Sequence, residues 1–143
     1  MKKPRIDNCR IIELPKIGDD QRGFLSVGES LKEIPFEIKR IYYTYGVGDL
    51  SKVRGEHAHK KLKQIFFCVH GKVTFLLDDG ERSEEIELSE PNKGIYIGPK
   101  LWHTMEKFSK DAVILAIASD YYDEEDYIRE YDKFIDYVGK EGQ

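Results

Sequence analysis

Residues 54–71 read RGEHAHKKLKQIFFCVHG, and they carry the strongest structural signal in the sequence. Side chains at positions i and i+2 of an extended chain leave the same face. His57 and His59 therefore point together into one space, while Ala58 turns away between them. An apolar run follows a charged turn and closes just before Gly71. Two imidazoles directed into one space form either a metal clamp or an acid–base pair.

The rest of the chain predicts more short strands separated by turns. Residues 38–45 are rich in β-branched and aromatic side chains, which are typical of a strand. Asp79-Gly80 lies between two strand-like runs and predicts a hairpin. The other strand candidates lie at 11–12, 24–27, 73–77, 86–88, 95–97 and 112–118.

The C-terminal segment changes to a helical period. Apolar side chains recur there at three- and four-residue spacing, with Asp123 as the expected N-cap and Gly139 as the expected stop. The stripe consists of Tyr127, Ile128, Tyr131, Phe134, Ile135 and Val138. One all-β domain over residues 1–143, a barrel or sandwich with an appended helix, is the predicted architecture.

Charge excludes some classes of partner. The chain of 143 residues has 35% charged residues and a net charge of −4, so we expect no nucleic-acid partner. The charge is uneven, because lysines follow the histidines at 60–63 while acids collect at 81–90 and 120–136. A small phosphate-bearing ligand near the lysines is compatible with this distribution.

Cysteine usage and hydropathy indicate the compartment. Cys9 and Cys68 lie far apart and outside any CxxC pair, which favours free thiols in a reducing compartment. No apolar run reaches the length of about 18 residues that a membrane helix needs, and the first residues lack a signal-peptide core. We expect a cytoplasmic protein with no membrane partner.

The histidine pair leaves two kinds of site open. A catalytic metal site usually adds a carboxylate and a third histidine. His103 could supply a third nitrogen, and three histidines alone can bind zinc. Gln64, the next candidate after His59, carries a neutral amide that is a poor ligand for a divalent cation. Gln64 therefore favours a site with no metal and no cofactor.

Other candidate site residues are a tyrosine and three arginines. Arg40 and Tyr42 share one face of their strand. The Tyr42 hydroxyl could relay a proton there, and the Arg40 guanidinium could bind a phosphate group through two hydrogen bonds. Arg22 and Arg54 each adjoin a glycine, which allows a ligand to approach closely.

Two segments resemble the two motifs of the cupin superfamily. The first has HxH at 57–59, then Gln64 where metal-binding members carry glutamate, then Gly71. The second is GIYIGPKLWH at 94–103, with Gly94, Pro99 and His103 in the motif positions and a Pro-to-His spacing one residue shorter than usual.

A more specific resemblance covers most of the chain, from about Arg22 to Phe134. The strings IPFEIKRIYYTY, RGEHAHKKLKQ, GIYIGPKLWH and ASDYYDEEDYIREYDKF are similar to those of the nucleotide-sugar 3,4-ketoisomerases, WxcM-like enzymes of the cupin superfamily. The resemblance implies a jelly-roll barrel, a metal-independent homodimer, and a dTDP-4-keto-6-deoxyglucose substrate whose carbonyl moves from C4 to C3. The product would then enter the biosynthesis of a 3-amino-3,6-dideoxysugar for a surface glycan.

The resemblance also implies roles for single residues. The catalytic set is His57, His59 and Tyr42, and one of the two histidines would remove the C3 proton. The substrate-binding set is Arg22, Arg40, Arg54, Gln64 and His103. An arginine at position 22 resembles the enzymes that give the galacto product. The alternatives are a 3,5-epimerase-like cupin, a metal-dependent cupin, and a non-catalytic sugar-nucleotide-binding module.

Overall fold

Antiparallel strands and one terminal helix build the structure, a computed structural model that describes Pro4 and residues 6–141. Every strand is short, between two and seven residues, and most of them follow turn sequences of the kind noted above. The strands are β1 (Cys9–Glu13), β2 (Ile17–Asp19), β3 (Gly23–Leu25), β4 (Arg40–Thr44), β5 (Arg54–His59), β6 (Gln64–His70), β7 (Val73–Asp78), β8 (Ser83–Leu88), β9 (Lys93–Ile97), β10 (Trp102–Glu106), β11 (Val113–Ala118) and β12 (Tyr127–Ile128), and the helix is α1 (Tyr131–Glu141).

All strands except β2 and β3 form two five-stranded sheets. The first has the order β1-β9-β6-β11-β4, and the second has the order β12-β5-β10-β7-β8. Inward side chains of both sheets, such as Phe66, Phe75 and Ile114, form the main core and are almost completely buried. Strands β1 and β4 are the two edges of the first sheet. The predicted all-β architecture with a terminal helix is confirmed, and the arrangement is that of a cupin-like jelly roll.

The helix begins later than the apolar stripe predicts. Asp123 caps a single 3-10 turn, Glu124–Asp126, by accepting from the Glu125 amide. Tyr127 and Ile128 then extend and pair with His59 and Ala58 of β5. This cross-strand pairing overrides the helical periodicity of the local sequence. The helix runs through the predicted stop at Gly139.

The helix covers the outer face of β5. Phe134 is fully buried against Ala58 and Ile128, with Trp102 at the side of the cluster. Ala58 therefore faces away from the histidines, as the alternation of the strand predicts. The packing fixes β12, and through it the segment that carries Asp126.

The β2–β3 hairpin stands apart from the two sheets. Strand β3 covers Gly23–Leu25 and is shorter than the predicted 24–27 strand. Ile17, Phe24 and Leu25 are 53%, 49% and 61% exposed, so the hairpin leaves apolar side chains uncovered in a single chain.

Two further expectations concern thiols and membranes. Cys9 and Cys68 are free. Within the part of the chain that the structure describes, no helix has the length and apolar character needed to cross a membrane.

Candidate functional site

Three histidines cluster between the sheets. His57 and His59 lie on β5, and His103 on β10 is directly opposite His57 in the strand pairing. The ring centroid of His57 is 4.9 Å from that of His59 and 4.7 Å from that of His103. The predicted convergence of the HxH pair is confirmed, and His103, the candidate third nitrogen, lies beside both rings.

A β-bulge brings Arg54 to the same face. Without it, Arg54 and His57 would face opposite sides, because they are three residues apart. The pairing skips Glu56, which lies in the left-handed region with φ 58°, and Arg54 pairs with Met105. Directly paired residues share a face, so Arg54 lies on the side of the histidines, exposed at the end of the strand.

His59 is held by a carboxylate from the other end of the sequence. Its Nδ1 lies 3.0 Å from Oδ2 of Asp126, and its side chain is only 3% exposed. The backbone amide of Lys61 donates to Oδ1 of Asp126 at 2.7 Å, and that of Leu62 donates to Oδ2 at 3.3 Å. The Nε2 atom of His59 is buried and has no hydrogen-bond partner among the described residues.

Burial keeps the imidazoles neutral. Desolvation lowers the pKa of His57, and lowers that of fully buried His103 well below its usual value. The pKa of His59 falls from 6.5 to about 4, mainly by desolvation and then by the nearby His57, while Asp126 opposes the shift. A neutral imidazole carries one nitrogen lone pair, so these rings can accept a proton near neutral pH.

Tyr42, Gln64 and Arg40 form a second polar group on the first sheet. The Tyr42 hydroxyl donates to Oε1 of Gln64 at 2.7 Å. The Nε2 of Gln64 and the Nε of Arg40 are buried without a partner among the described residues. Burial raises the pKa of Tyr42 far above its usual value, so the phenol remains protonated.

The two groups are adjacent. The ring centroid of Phe66 lies 6.3 Å from that of Tyr42 and 5.9 Å from that of His103. The Arg40 guanidinium also contributes to lowering the pKa of His59. The space between the sheets therefore combines neutral bases, a tyrosine hydroxyl and a cation.

Tyr127 borders the histidine cluster and was not among the predicted site residues. Its ring centroid lies 4.9 Å from that of His57 and 4.4 Å from that of His59. Arg129 covers the Tyr127 ring at 4.2 Å and makes a two-point ion pair with Glu124. These contacts fix the aromatic ring beside the two imidazoles.

Arg22 is the one predicted site residue that a single chain does not bring to the cluster. It lies in the exposed turn of the β2–β3 hairpin, where its backbone amide donates to Asp19 at 2.8 Å. Among the described residues, the Arg22 side chain makes no hydrogen bond or ring contact with the histidines.

The donors do not form an evident metal site. No group of three His, Cys, Asp or Glu side chains within the described ranges is placed to hold a metal ion. Gln64, in the position where metal-binding cupins carry glutamate, uses its amide oxygen for Tyr42 instead.

Asp126 was also missed by sequence reasoning. It is part of the string YYDEEDYIR, which contains several acids in a row, and nothing local distinguishes it from Asp123 or Glu125. Its signal was the resemblance itself, because the string lies within one of the four segments that carry that resemblance.

The fold and the histidine cluster define a cupin-like protein with a site for a small molecule. The chain belongs to the FdtA family: the family model described as "FdtA: WxcM-like, C-terminal" matches residues 7–139. The chain is 48% identical over 131 residues to the TDP-4-oxo-6-deoxy-alpha-D-glucose-3,4-oxoisomerase of Aneurinibacillus thermoaerophilus, covering 92% of this chain and 93% of that enzyme.

Solved structures agree with this assignment. A variant of the 3,4-ketoisomerase QdtA from Thermoanaerobacterium thermosaccharolyticum, in complex with TDP-4-keto-6-deoxyglucose, is 42% identical with a TM-score of 0.91, covering 94% of this chain and 96% of that one. WlaRB, a TDP-quinovose 3,4-ketoisomerase from Campylobacter jejuni, is 45% identical with a TM-score of 0.85, covering 92% of this chain and 99% of that one. These relatives are isomerases.

Proposed function

We propose that the protein is a sugar 3,4-ketoisomerase that converts TDP-4-keto-6-deoxyglucose to the corresponding 3-keto-6-deoxyhexose. The observation that carries the proposal is the buried, unpartnered Nε2 of neutral His59, in a histidine cluster that Phe66 connects to the Tyr42–Gln64 pair. Relatives that cover nearly the whole chain have this activity by name.

The chemistry requires a base and groups that handle oxygen-bound protons. A hydrogen next to a ketone becomes acidic when the enolate oxygen is stabilised. His59 Nε2 takes the C3 proton, and the electron pair of that bond forms the C3–C4 double bond as O4 becomes an enolate oxygen. O4 gains a proton and O3 loses one, with Tyr42 or His57 as the shuttle. The proton on His59 then returns to C4, so no atom or electron is gained or lost.

Arginines supply the anion-binding part of the site. Arg40 places an unpartnered buried Nε at the site, and the bulge places Arg54 on the same face. Both are assigned to the pyrophosphate, where a guanidinium can bind two oxygens at once. Gln64 Nε2 and His103 complete the substrate-binding set, close to the hydroxyl and carbonyl oxygens of the sugar. Holding the ring in one pose lowers the entropy cost of proton transfer.

The test is turnover followed by NMR in deuterated water. We expect a 3-keto product that carries deuterium at C4 to the extent that the proton on His59 exchanges with solvent before it is returned, and we expect loss of this product in His59→Asn. The variant His57→Asn shows which histidine is the carbon base. If His57 only moves protons between the sugar oxygens, this variant retains some hydrogen–deuterium exchange at C3. Inversion at C3 or C5 without carbonyl migration would instead identify an epimerase, and tight binding of TDP-sugar without turnover would identify a non-catalytic module.

The configuration of the product is assigned to galacto on the strength of Arg22. This assignment requires the β2–β3 hairpin to approach a site, which it does not do within one chain. The coupling constant between H4 and H5 of the product distinguishes a galacto from a gluco hydroxyl. Arg22→Tyr is expected to change that coupling, and an unchanged product would remove Arg22 from the assignment.

We assign the exposed β2–β3 hairpin to contact with a second copy in a homodimer. The outer face of β4 and β11 leaves apolar side chains uncovered, including Ile41 at 60% and Tyr43 at 60% exposed. β4 is also a free edge whose backbone groups can pair with another strand. Sedimentation should show a dimer that Tyr43→Lys dissociates, while Glu87→Lys on exposed β8 leaves it intact. A wild-type monomer at micromolar concentration would contradict the proposal.

The remaining assignments are a metal-free reaction, a single domain and a cytoplasmic location. The Gln64 amide supports the metal-free reaction, because its oxygen already accepts a hydrogen bond from the Tyr42 hydroxyl. Free Cys9 and Cys68 and a nucleotide-activated sugar substrate support the cytoplasm. Metal analysis of protein purified without chelator tests the first assignment, since a stoichiometric metal needed for turnover would contradict it.

A further inference from the structure

Arg129 directly follows β12 and takes no part in the chemistry above, yet it contacts the Tyr127 ring, which touches both imidazoles of β5. We propose that Arg129 is a positioning residue: its ion pair with Glu124 keeps the Tyr127 ring against the two imidazoles and shields them from water. The inference rests on the proposed function for its effect on turnover. It holds whichever of the two imidazoles removes the carbon-bound proton.

The first step concerns the support of β12. This strand has two residues and lies at the end of the second sheet, beside β5. Ile128 is buried in the cluster that α1 forms with Ala58 and Phe134. Tyr127 points the opposite way, because neighbouring residues of a strand leave opposite faces. The helix packing therefore fixes the strand but not this ring, and the Arg129 guanidinium contacts the ring at 4.2 Å from its centroid.

The second step is the ion pair that fixes Arg129. Its Nε donates to one carboxylate oxygen of Glu124 at 2.6 Å, and its Nη2 donates to the other at 2.8 Å. An isolated exposed ion pair contributes little, because water screens the charges and two flexible side chains must be ordered. This pair has two hydrogen bonds, and the Tyr122 hydroxyl donates to the same carboxylate. It closes a loop over residues 124–129, which carries both Asp126 and Tyr127.

The third step is the effect of the ring on the imidazoles. The Tyr127 centroid lies 4.9 Å from that of His57 and 4.4 Å from that of His59. Desolvation is the first cause of the lowered pKa of both histidines. Water admitted beside these rings would favour the imidazolium form, which has no lone pair to accept a proton. A fixed aromatic ring at this place therefore keeps both imidazoles neutral and restricts their orientation.

The charges around the imidazoles must be counted before a pH dependence is assigned. Arg129 lowers the pKa of His57 and Glu124 raises it, so the two charges of the ion pair oppose each other there. The other titratable or charged groups beside the pair come from four elements and are His103 of β10, Arg40 of β4, Asp126 of the 3-10 turn and Tyr127 of β12.

The ion pair itself does not titrate in the range of the histidines. Its hydrogen bonds with Arg129, and then that from Tyr122, lower the pKa of the Glu124 carboxyl from 4.5 to about 2. Both partners therefore stay charged throughout the pH range in which imidazoles change protonation. A change of the pH profile in this range reports on the imidazoles and not on Glu124.

The test compares Arg129→Met with Arg129→Lys and Lys133→Met. Methionine keeps an unbranched side chain but loses the ion pair, so the Tyr127 ring is released. We expect kcat to fall about 10- to 100-fold with KM almost unchanged, the scale of a small misplacement of reacting groups. The acid limb of the kcat profile should rise by about one pH unit, toward the value of about 6.5 for a solvated imidazole.

The other two variants separate position from charge. Lysine keeps the positive charge but cannot make the two-point contact, so Arg129→Lys should resemble Arg129→Met. Lys133→Met removes an exposed ion pair with Glu130 near the start of α1, and it should retain the wild-type kcat and pH profile. Wild-type behaviour of Arg129→Lys would show that charge alone suffices and would overturn the proposal.

The second readout needs no substrate. NMR titration of the imidazole C–H signals gives the pKa of His57 and His59, and we expect both to rise in Arg129→Met but not in Lys133→Met. If Arg129→Met does not fold, the same titration of Arg129→Lys decides the case. Unchanged imidazole pKa values would overturn the proposal, as would a raised KM with kcat and pH profile unchanged, which would make Arg129 a substrate ligand. Failure of the wild-type protein to isomerise the TDP-sugar would instead reject the proposed function, and the titration would still decide the role of Arg129.

Discussion

Mild acid should destabilise this protein through its buried histidines. His59 has a pKa near 6.5 when unfolded and about 4 when folded. Between these pH values His59 is protonated in the unfolded chain but neutral in the folded protein. The free energy of unfolding therefore falls as the pH drops below 6.5, and it levels off below about pH 4. Lowering the pH to 5 costs about 2 kcal/mol for His59, at about 1.4 kcal/mol per pH unit.

His103 adds to this effect. Its side chain is 1% exposed, and its pKa also lies well below the usual value. His103 therefore adds a further loss of the same sign to that of His59, against the 5–15 kcal/mol that is typical of folded domains.

The assay is urea unfolding at pH 7.5 and pH 5.0, at one protein concentration because a dimer's stability depends on it. The free energy of unfolding should drop about 2 kcal/mol less in His59→Asn than in wild type, since asparagine does not titrate. Acidic side chains are common to both proteins, so their contribution cancels in the comparison. An equal drop in both proteins would refute the conclusion that His59 is buried and neutral.

Three shorter predictions follow. Tyr42→Phe removes the hydroxyl that donates to Gln64, and steady-state kinetics should show a kcat about 10²- to 10⁴-fold lower; an unchanged kcat would assign the shuttle to His57 alone. Gly94→Ala would place a Cβ 2.5 Å from the Phe66 carbonyl oxygen, so urea unfolding should show a loss of about 1–3 kcal/mol, and an unchanged midpoint would contradict this close approach. Prolonged dialysis against a chelator should leave turnover intact, whereas activity restored by one added metal would contradict the metal-free proposal.

The parts of the site that follow strand alternation could be predicted from the sequence. His57 and His59 converge because they are two residues apart on a strand, and Arg40 and Tyr42 share an inner face for the same reason. Gln64 was singled out for its weak affinity for metals, and the structure gives its oxygen a different partner. In each case the information is local to one strand.

The parts that depend on tertiary pairing could not be predicted. Arg54 reaches the inner face only because the bulge at Glu56 adds a residue to β5, and no sequence period encodes that insertion. Asp126 is 67 residues from His59, so only the folded chain brings them together. The helix boundary was wrong because Tyr127 pairs with β5, a contact that outweighs its apolar spacing.

Strand β4 presents different chemistry on its two sides. Arg40 and Tyr42 face inward, while Ile41 and Tyr43 face outward on the uncovered surface. A five-residue ribbon cannot tilt on one side without tilting on the other. A designed binder or a substitution at Tyr43 therefore acts on the same strand that positions the Tyr42 hydroxyl, which makes the outside of β4 a place from which the reacting groups can be perturbed.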